Sequence, residues 1–251
     1  MTPMASLFVQ GALTTGRKSE LAPIFLPMLS ELRCFDIEAI YNSVNQALGD
    51  LRGTEIGETA DYLFENHVLP SPMVWLEART QSFMVISLEN TLQFSALRRH
   101  TVNRMKLVPF ASAGLHKDEE GRWIITPVED LNEADALALI MFTLLLIDFI
   151  NQPYVCRSEN NHPHRALARK VRGAGLGELR PWHVITLRPR SGEVQGGEGH
   201  HSPKCFHFVR GHKRHYRNGH VAKVTHHWRG DPALGISRAN YKVLPNSKVP
   251  A

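Results

Sequence analysis

Arginine, lysine and histidine crowd into one short stretch: Arg210, His212, Lys213, Arg214, His215, Arg217, His220, Lys223, His226, His227 and Arg229. Asn218-Gly219 splits it, and this dipeptide readily takes the positive φ angles of a type I′ turn, so Cys205–Arg217 and His220–Arg229 are expected to pair as a β-hairpin. A two-residue loop would set Arg210 opposite His227, His212 opposite Thr225, Arg214 opposite Lys223 and Phe208 opposite Arg229, all on one face. The other face would carry His207, Val209, Gly211, Lys213 and His215 against Gly230, Trp228, His226, Val224 and Ala222. Trp228 and the valines mark that second face as the inward one.

Like charges directly opposed across a sheet destabilise it unless an anion neutralises them, and a phosphate backbone is such an anion. Two imidazoles (His212, His227) beside two guanidiniums (Arg210, Arg229) also form the set needed to hold a phosphodiester and move protons around it. A metal-independent ribonuclease would take the 2′-hydroxyl proton with one histidine and protonate the leaving oxygen with the other. The arginines would stabilise the charged oxygens in between. The simpler readings are a phosphate grip without catalysis, or ring hydrogen bonds to backbone at the hairpin rim. A bulge at Gly211 would reverse the faces beyond it.

Cys205 and His207 at i and i+2, with His200 and His201 upstream and Cys156, His162 and His164 elsewhere, raise the question of zinc. No CxxC or HxxxH pair supports it, so neither a metal nor another cofactor is expected. Arg229-Gly-Asp231 spells an integrin-binding tripeptide, but Gly230 and Asp231-Pro232 read more simply as the turn that stops the strand. The spacing in Gly192–Gly199 fits neither GxxxxGK[ST] nor GxGxxG, leaving a polar loop.

The hairpin belongs to a wider division of charge. Of the 251 residues, 1–150 hold 11 Lys+Arg and 19 Asp+Glu (−8), whereas 151–251 hold 18 and 5 (+13). Eleven of the 14 histidines lie in the second part. The expected organisation is therefore an acidic α+β domain over 1–150 and a basic His/Arg-rich region over 151–251 that is able to pack with it. Three widely spaced cysteines, Cys34, Cys156 and Cys205, argue against a disulfide framework and for a reducing cytoplasm. The first residues lack the basic flank of a signal peptide. The apolar run Ala136–Ile147 has 12 residues, short of the roughly 20 needed to span a bilayer.

Elements that would position the basic region follow from periodicity. Ile37, Ile40, Tyr41, Val44, Ala47, Leu48 and Leu51 make one apolar helical stripe, with Asp36 as N-cap. Thr54–Asn66 is a second helix, ended by the extended Leu69-Pro-Ser-Pro72. Met73–Ala78, Phe83–Leu88 and Leu92–Leu97 read as a strand meander, with Trp123–Val128 a further strand. Asn132 caps a long buried helix that runs to Ile150. Beyond it come a basic helix over Arg165–Arg172, with Arg165, Arg169, Lys170 and Arg172 as phosphate-binding candidates, and a strand over Pro181–Leu187. The fold class is thus α+β: mixed short strands with a long buried helix, then a basic C-terminal region built on a β-hairpin.

Several of these segments also resemble a known group. Leu69-Pro-Ser-Pro72 with Trp75 and Glu77, Ile150-Asn-Gln-Pro153, Pro163-His-Arg165, Pro181-Trp-His183, and His207-Phe-Val-Arg210 leading to His226-His-Trp-Arg-Gly-Asp-Pro232 with Gly235 and Tyr241 look like a family of uncharacterised proteins of tailed bacteriophages and prophages of Gram-negative bacteria. The resemblance covers roughly the last 180 residues and is most specific at the hairpin. It implies a phage-encoded protein acting inside the host cell, and it brings no activity or catalytic residues. Three roles fit: nucleic-acid binding, metal-independent nuclease action, or binding to an acidic surface of a host factor to inhibit or redirect it. The opposite charges of the two parts also suit a homodimer.

Overall fold

The computed structural model describes residues 2–15, 25–99, 107–128, 130–151, 155–161, 164–187, 205–209, 212–216, 219–224, 227–229 and 231–236. They form two compact units, residues 1–187 and 188–251. The boundary therefore falls 37 residues beyond the change of composition at 150. The reason is strand pairing: segments after residue 150 complete the sheet of the first unit.

That sheet has eight strands: β1 (Leu32–Asp36), β2 (Met73–Glu77), β3 (Gln81–Leu88), β4 (Thr91–Arg99), β5 (Leu107–Lys117), β6 (Trp123–Pro127), β7 (Val155–Asn161) and β8 (Trp182–Leu187). Their spatial order is β6-β5-β4-β3-β2-β1-β8-β7. Strands β2 to β6 form the expected antiparallel meander, with β5 added to it, while β1 runs parallel to both β2 and β8. The ladder between β4 and β5 slips between Ala96 and Leu97, where Leu97 pairs with Pro109 and Ala96 with Ala111. A proline without an N–H is tolerated at such an irregularity.

Five helices among the described residues cover the two faces: α1 (Pro3–Thr15), α2 (Glu38–Gly49), α3 (Thr54–Asn66), α4 (Glu133–Ile150) and α5 (Arg165–Gly173). Side chains of alternate parity along each strand point to opposite layers. Cys34, Met73, Trp75, Met84 and Ile86 meet Met4, Ala5 and Val9 of α1 and Leu167 and Val171 of α5. On the other face Tyr41 of α2 and Phe83 of β3 both pack on Phe142 of α4, with ring centroids 5.3 and 5.1 Å apart. Strand β2 is buried along its whole length, as a strand covered on both faces must be. Helix α4 is apolar around its circumference for the same reason, and its Thr143 hydroxyl donates to the Leu139 carbonyl at 2.7 Å.

The expected caps take two forms. Asn132 accepts from the Asp135 N–H at 2.9 Å, as its sequence position suggests. Asp36 accepts from the Glu38 N–H at 3.1 Å, although Ile37 holds the N-cap position. The most consequential cap comes from far away in sequence. The Glu77 carboxylate, buried at the end of β2, accepts from the backbone N–H of Met4 at 3.0 Å, that of Ala5 at 3.2 Å and the Trp75 indole at 3.1 Å. It thereby satisfies orphan donors of the first turn of α1 and places negative charge at the positive end of the helix.

Removing that carboxylate leaves buried donors without acceptors, so Glu77→Ala is expected to destabilise the first unit by about 2–4 kcal/mol in chemical denaturation. Burial pushes the Cys34 thiol up from the usual 9.0 to about 12. A raised folded-state value means stability is complete below 9.0 and is lost as pH rises toward 12. With Cys156 and Cys205 replaced by serine, Cys34 is expected to resist thiol reagents at pH 8 in the folded chain and to react fully in denaturant.

Candidate nucleic-acid interface

Basic groups are exposed in both units. In the first, α5 reads Arg-Ala-Leu-Ala-Arg-Lys-Val-Arg-Gly, and its two large apolar residues, Leu167 and Val171, are buried at i and i+4. That anchoring turns Arg165, Arg169, Lys170 and Arg172 to solvent, with His164 exposed just before them. Arg165, Arg169 and Arg172 follow at i, i+4 and i+7, one line along the helix with steps of about 5–6 Å. Arg172 pairs with Glu178 at 3.0 Å, both side chains largely in water. Among the described residues no carboxylate lies within ion-pair distance of Arg165, Arg169 or Lys170.

The positions of these charges along the helix differ in meaning. Lys170 and Arg172 lie in the last turn, where cations stabilise a helix on their own account. Arg165 lies in the first turn, where a cation opposes the macrodipole and no acidic residue offsets it. An anion bound at that end would relieve the conflict.

The second unit, residues 188–251, carries 12 Lys+Arg, 3 Asp+Glu and eight histidines, a net +9, while the first holds 17 and 21, a net −4. Its described strands are β9 (Cys205–Val209), β10 (His212–His215), β11 (Val221–Val224), β12 (His227–Arg229) and β13 (Asp231–Ile236). Strands β10 and β11 form an antiparallel pair, and β12 pairs antiparallel with β9. Strand β12 ends at Arg229, before Gly230 and Asp231-Pro232, and Asp231 then opens a separate strand, β13, which pairs parallel with β9 at the sheet edge where a proline is tolerated.

The register differs by one residue from that of a two-residue loop. His212 pairs with Val224, Lys213 with Lys223 and Arg214 with Ala222, and in the second ladder His227 pairs with Val209, Trp228 with Phe208 and Arg229 with His207. Tyr216 and His220 close the turn, the Tyr216 N–H donating to the His220 carbonyl at 2.9 Å and the Gly219 N–H to the Tyr216 carbonyl at 3.0 Å. The loop is therefore 217–219, and Gly219 supplies a left-handed φ of 79° at its end. Asn-Gly serves both this three-residue loop and the two-residue one, so the dipeptide alone does not choose between them.

The slip matters because it exchanges faces. Arg214 does not oppose Lys223, Phe208 does not oppose Arg229, and His212 and His227 lie in separate ladders opposite valines rather than opposite Thr225 and Arg210. Arg210 and Gly211, with the side chains of His212 and His227, lie outside the described residues. Arg214 is exposed and sits over the Tyr216 ring at 5.1 Å, with the His220 ring 5.7 Å from that of Tyr216. Arg229 is also exposed. Lys213 and Lys223 are the like-charged cross-strand pair of this register.

Among the described residues no group of three His, Cys, Asp or Glu side chains could hold a metal ion. The side chains of Cys156, Cys205 and His207 and all of His162, His200 and His201 lie outside the described residues. Nor, among those described, is any helix long and apolar enough to cross a membrane.

Cysteine pairs test the register directly. Lys213→Cys with Lys223→Cys is expected to form an intramolecular disulfide under mild oxidation, and Arg214→Cys with Lys223→Cys to form little. The reverse order would restore the two-residue loop. No protein-family model, curated protein or solved structure matches the chain.

Proposed function

We propose that the protein binds nucleic acid through basic surfaces, one on α5 and one on the hairpin unit. The observation that carries this reading is the exposed Arg165–Arg169–Lys170 face of α5, which among the described residues has no carboxylate within ion-pair distance. An amphipathic surface helix normally mixes charges of both signs on its wet side. Here three like charges are held outward by a buried Leu167/Val171 stripe, and one of them sits at the helix end that repels it. Guanidinium groups spaced one turn apart suit successive phosphate oxygens, which position a nucleic acid without reading its bases. The hairpin unit adds a net +9, and its Lys213–Lys223 register pair also favours an anion. The Tyr216 and His220 rings at the turn offer faces on which bases of a single strand could stack.

The phage resemblance is consistent with a protein that acts on nucleic acid inside a host cell.

Fluorescence anisotropy with labelled duplex and single-stranded oligonucleotides over roughly 50–200 mM salt tests the reading. Affinity is expected to fall steeply with salt. The variant Arg165→Ala/Arg169→Ala/Lys170→Ala is expected to flatten the slope of log K against log salt by about 2–3 for a duplex. Its folding stability should stay within about 0.5 kcal/mol of the wild type, since the three side chains are exposed. Negligible binding of DNA and RNA at low salt, with capture of an acidic protein that survives nuclease treatment, would replace this reading with a protein partner.

A further inference from the structure

Apart from α5 and the hairpin unit, one further stretch of the chain is basic and free of acidic residues. Residues 90–117, which contain β4 and β5, hold five Lys+Arg and no Asp or Glu, although they belong to the unit with a net charge of −4. An exposed aromatic ring stands among them. We infer that Phe110, with Arg98 and Arg99, is a stacking site for an unpaired base, so that the nucleic acid held by the first unit is single-stranded. The inference rests on the reading of the protein as a nucleic-acid binder.

The backbone presents the ring. In the β4–β5 ladder Ala96 pairs with Ala111 and Leu97 with Pro109, so Phe110 is the extra residue of a β-bulge and opposes no single partner. Such a residue departs from the regular alternation of faces, and bulges near functional sites re-aim side chains in this way. Strand β6 does not cover it, because β6 pairs with Ala113–Lys117 and stops short of Phe110. Phe110 consequently keeps 44% of its surface in water, whereas Phe83 and Phe94 of the same sheet keep 4% and 0%. A ring left this open forgoes the gain of burial, which a flat ligand laid on it would supply.

The charges select the ligand. The Arg98 guanidinium lies over the Phe110 ring, 5.4 Å from its centroid, and Arg98 and Arg99 are both exposed. Among the described residues neither arginine has a carboxylate within ion-pair distance. An apolar protein segment would use the ring and leave the cations unanswered. A duplex would use the cations and leave the ring bare, since its bases are already stacked on one another. A single strand uses both, a base on the aromatic face and phosphates on the guanidiniums. The second unit carries the same combination, with Arg214 over the exposed Tyr216 ring at 5.1 Å.

Anisotropy titrations of the full chain at one salt concentration, with a short oligothymidylate, an abasic strand of equal length and a duplex, test the site. Phe110→Ala and Phe110→Leu are expected to weaken oligothymidylate binding roughly tenfold and to leave the abasic strand and the duplex within about twofold of wild type. Phe110→Leu keeps an apolar side chain at the bulge, so its loss of affinity reports stacking rather than packing. Phe110→Trp keeps a stacking face and should restore wild-type affinity. The slope of log K against log salt for oligothymidylate should be unchanged in the Phe110 variants and shallower by about 1–1.5 in Arg98→Ala/Arg99→Ala. Oligothymidylate binding that is unaffected by Phe110→Ala, that is as tight in Phe110→Leu as in wild type, or that falls no more than duplex binding would overturn the stacking site and leave binding through α5 and the hairpin unit standing. Failure of the wild type to bind any of the three ligands at low salt would instead remove the reading on which the site rests, and the site with it.

Discussion

The carboxylate of Glu77 is the constraint from which the placement of the basic helix follows. It is buried between β2 and α1, and it would be costly there if it did not satisfy the Met4 and Ala5 N–H groups and the Trp75 indole together. By capping α1 from the sheet it fixes that helix on one face. Met4, Ala5 and Val9 of α1 then share a cluster with Leu167 and Val171 of α5. With those two residues held inward, the helical period leaves Arg165, Arg169 and Lys170 no position but the outside. A carboxylate about 90 residues upstream thus orients the charges that give the protein its proposed function.

Charge is segregated more by surface than by chain half. The first unit is acidic overall at −4, yet it displays a basic helix on which, among the described residues, only Arg172 is paired with a carboxylate, and the second carries a net +9. Burial keeps the Cys34 thiol protonated far into the alkaline range, so this cysteine serves as core rather than as nucleophile.

Much of the fold was legible where periodicity and caps agree. Helices α2, α3, α4 and α5 and strands β2, β3, β4, β6 and β8 lie close to the positions expected from their patterns. Strand β1 escaped notice because Leu-Arg-Cys-Phe-Asp lacks both β-branched residues and alternation. Strand β5 was hidden by its Pro109 and its run of Ala, Ser and Gly. Helix α1 has apolar residues on most of its circumference and so shows no amphipathic stripe, and its cap comes from Glu77, far outside any local window. The basic face of α5 was readable in the chain. The pairing of the hairpin was not, since Asn-Gly fits two loops that differ by one residue, and one residue decides which side chains meet.

The most direct test of nucleic-acid binding is where the bound strand lies. A photoreactive oligonucleotide carrying 4-thiothymidine, crosslinked to the full chain and mapped by mass spectrometry of the peptides, is expected to label the segment containing His164–Gly173 and peptides of the hairpin unit. Crosslinks confined to other parts of the first unit, or none at low salt, would contradict the account.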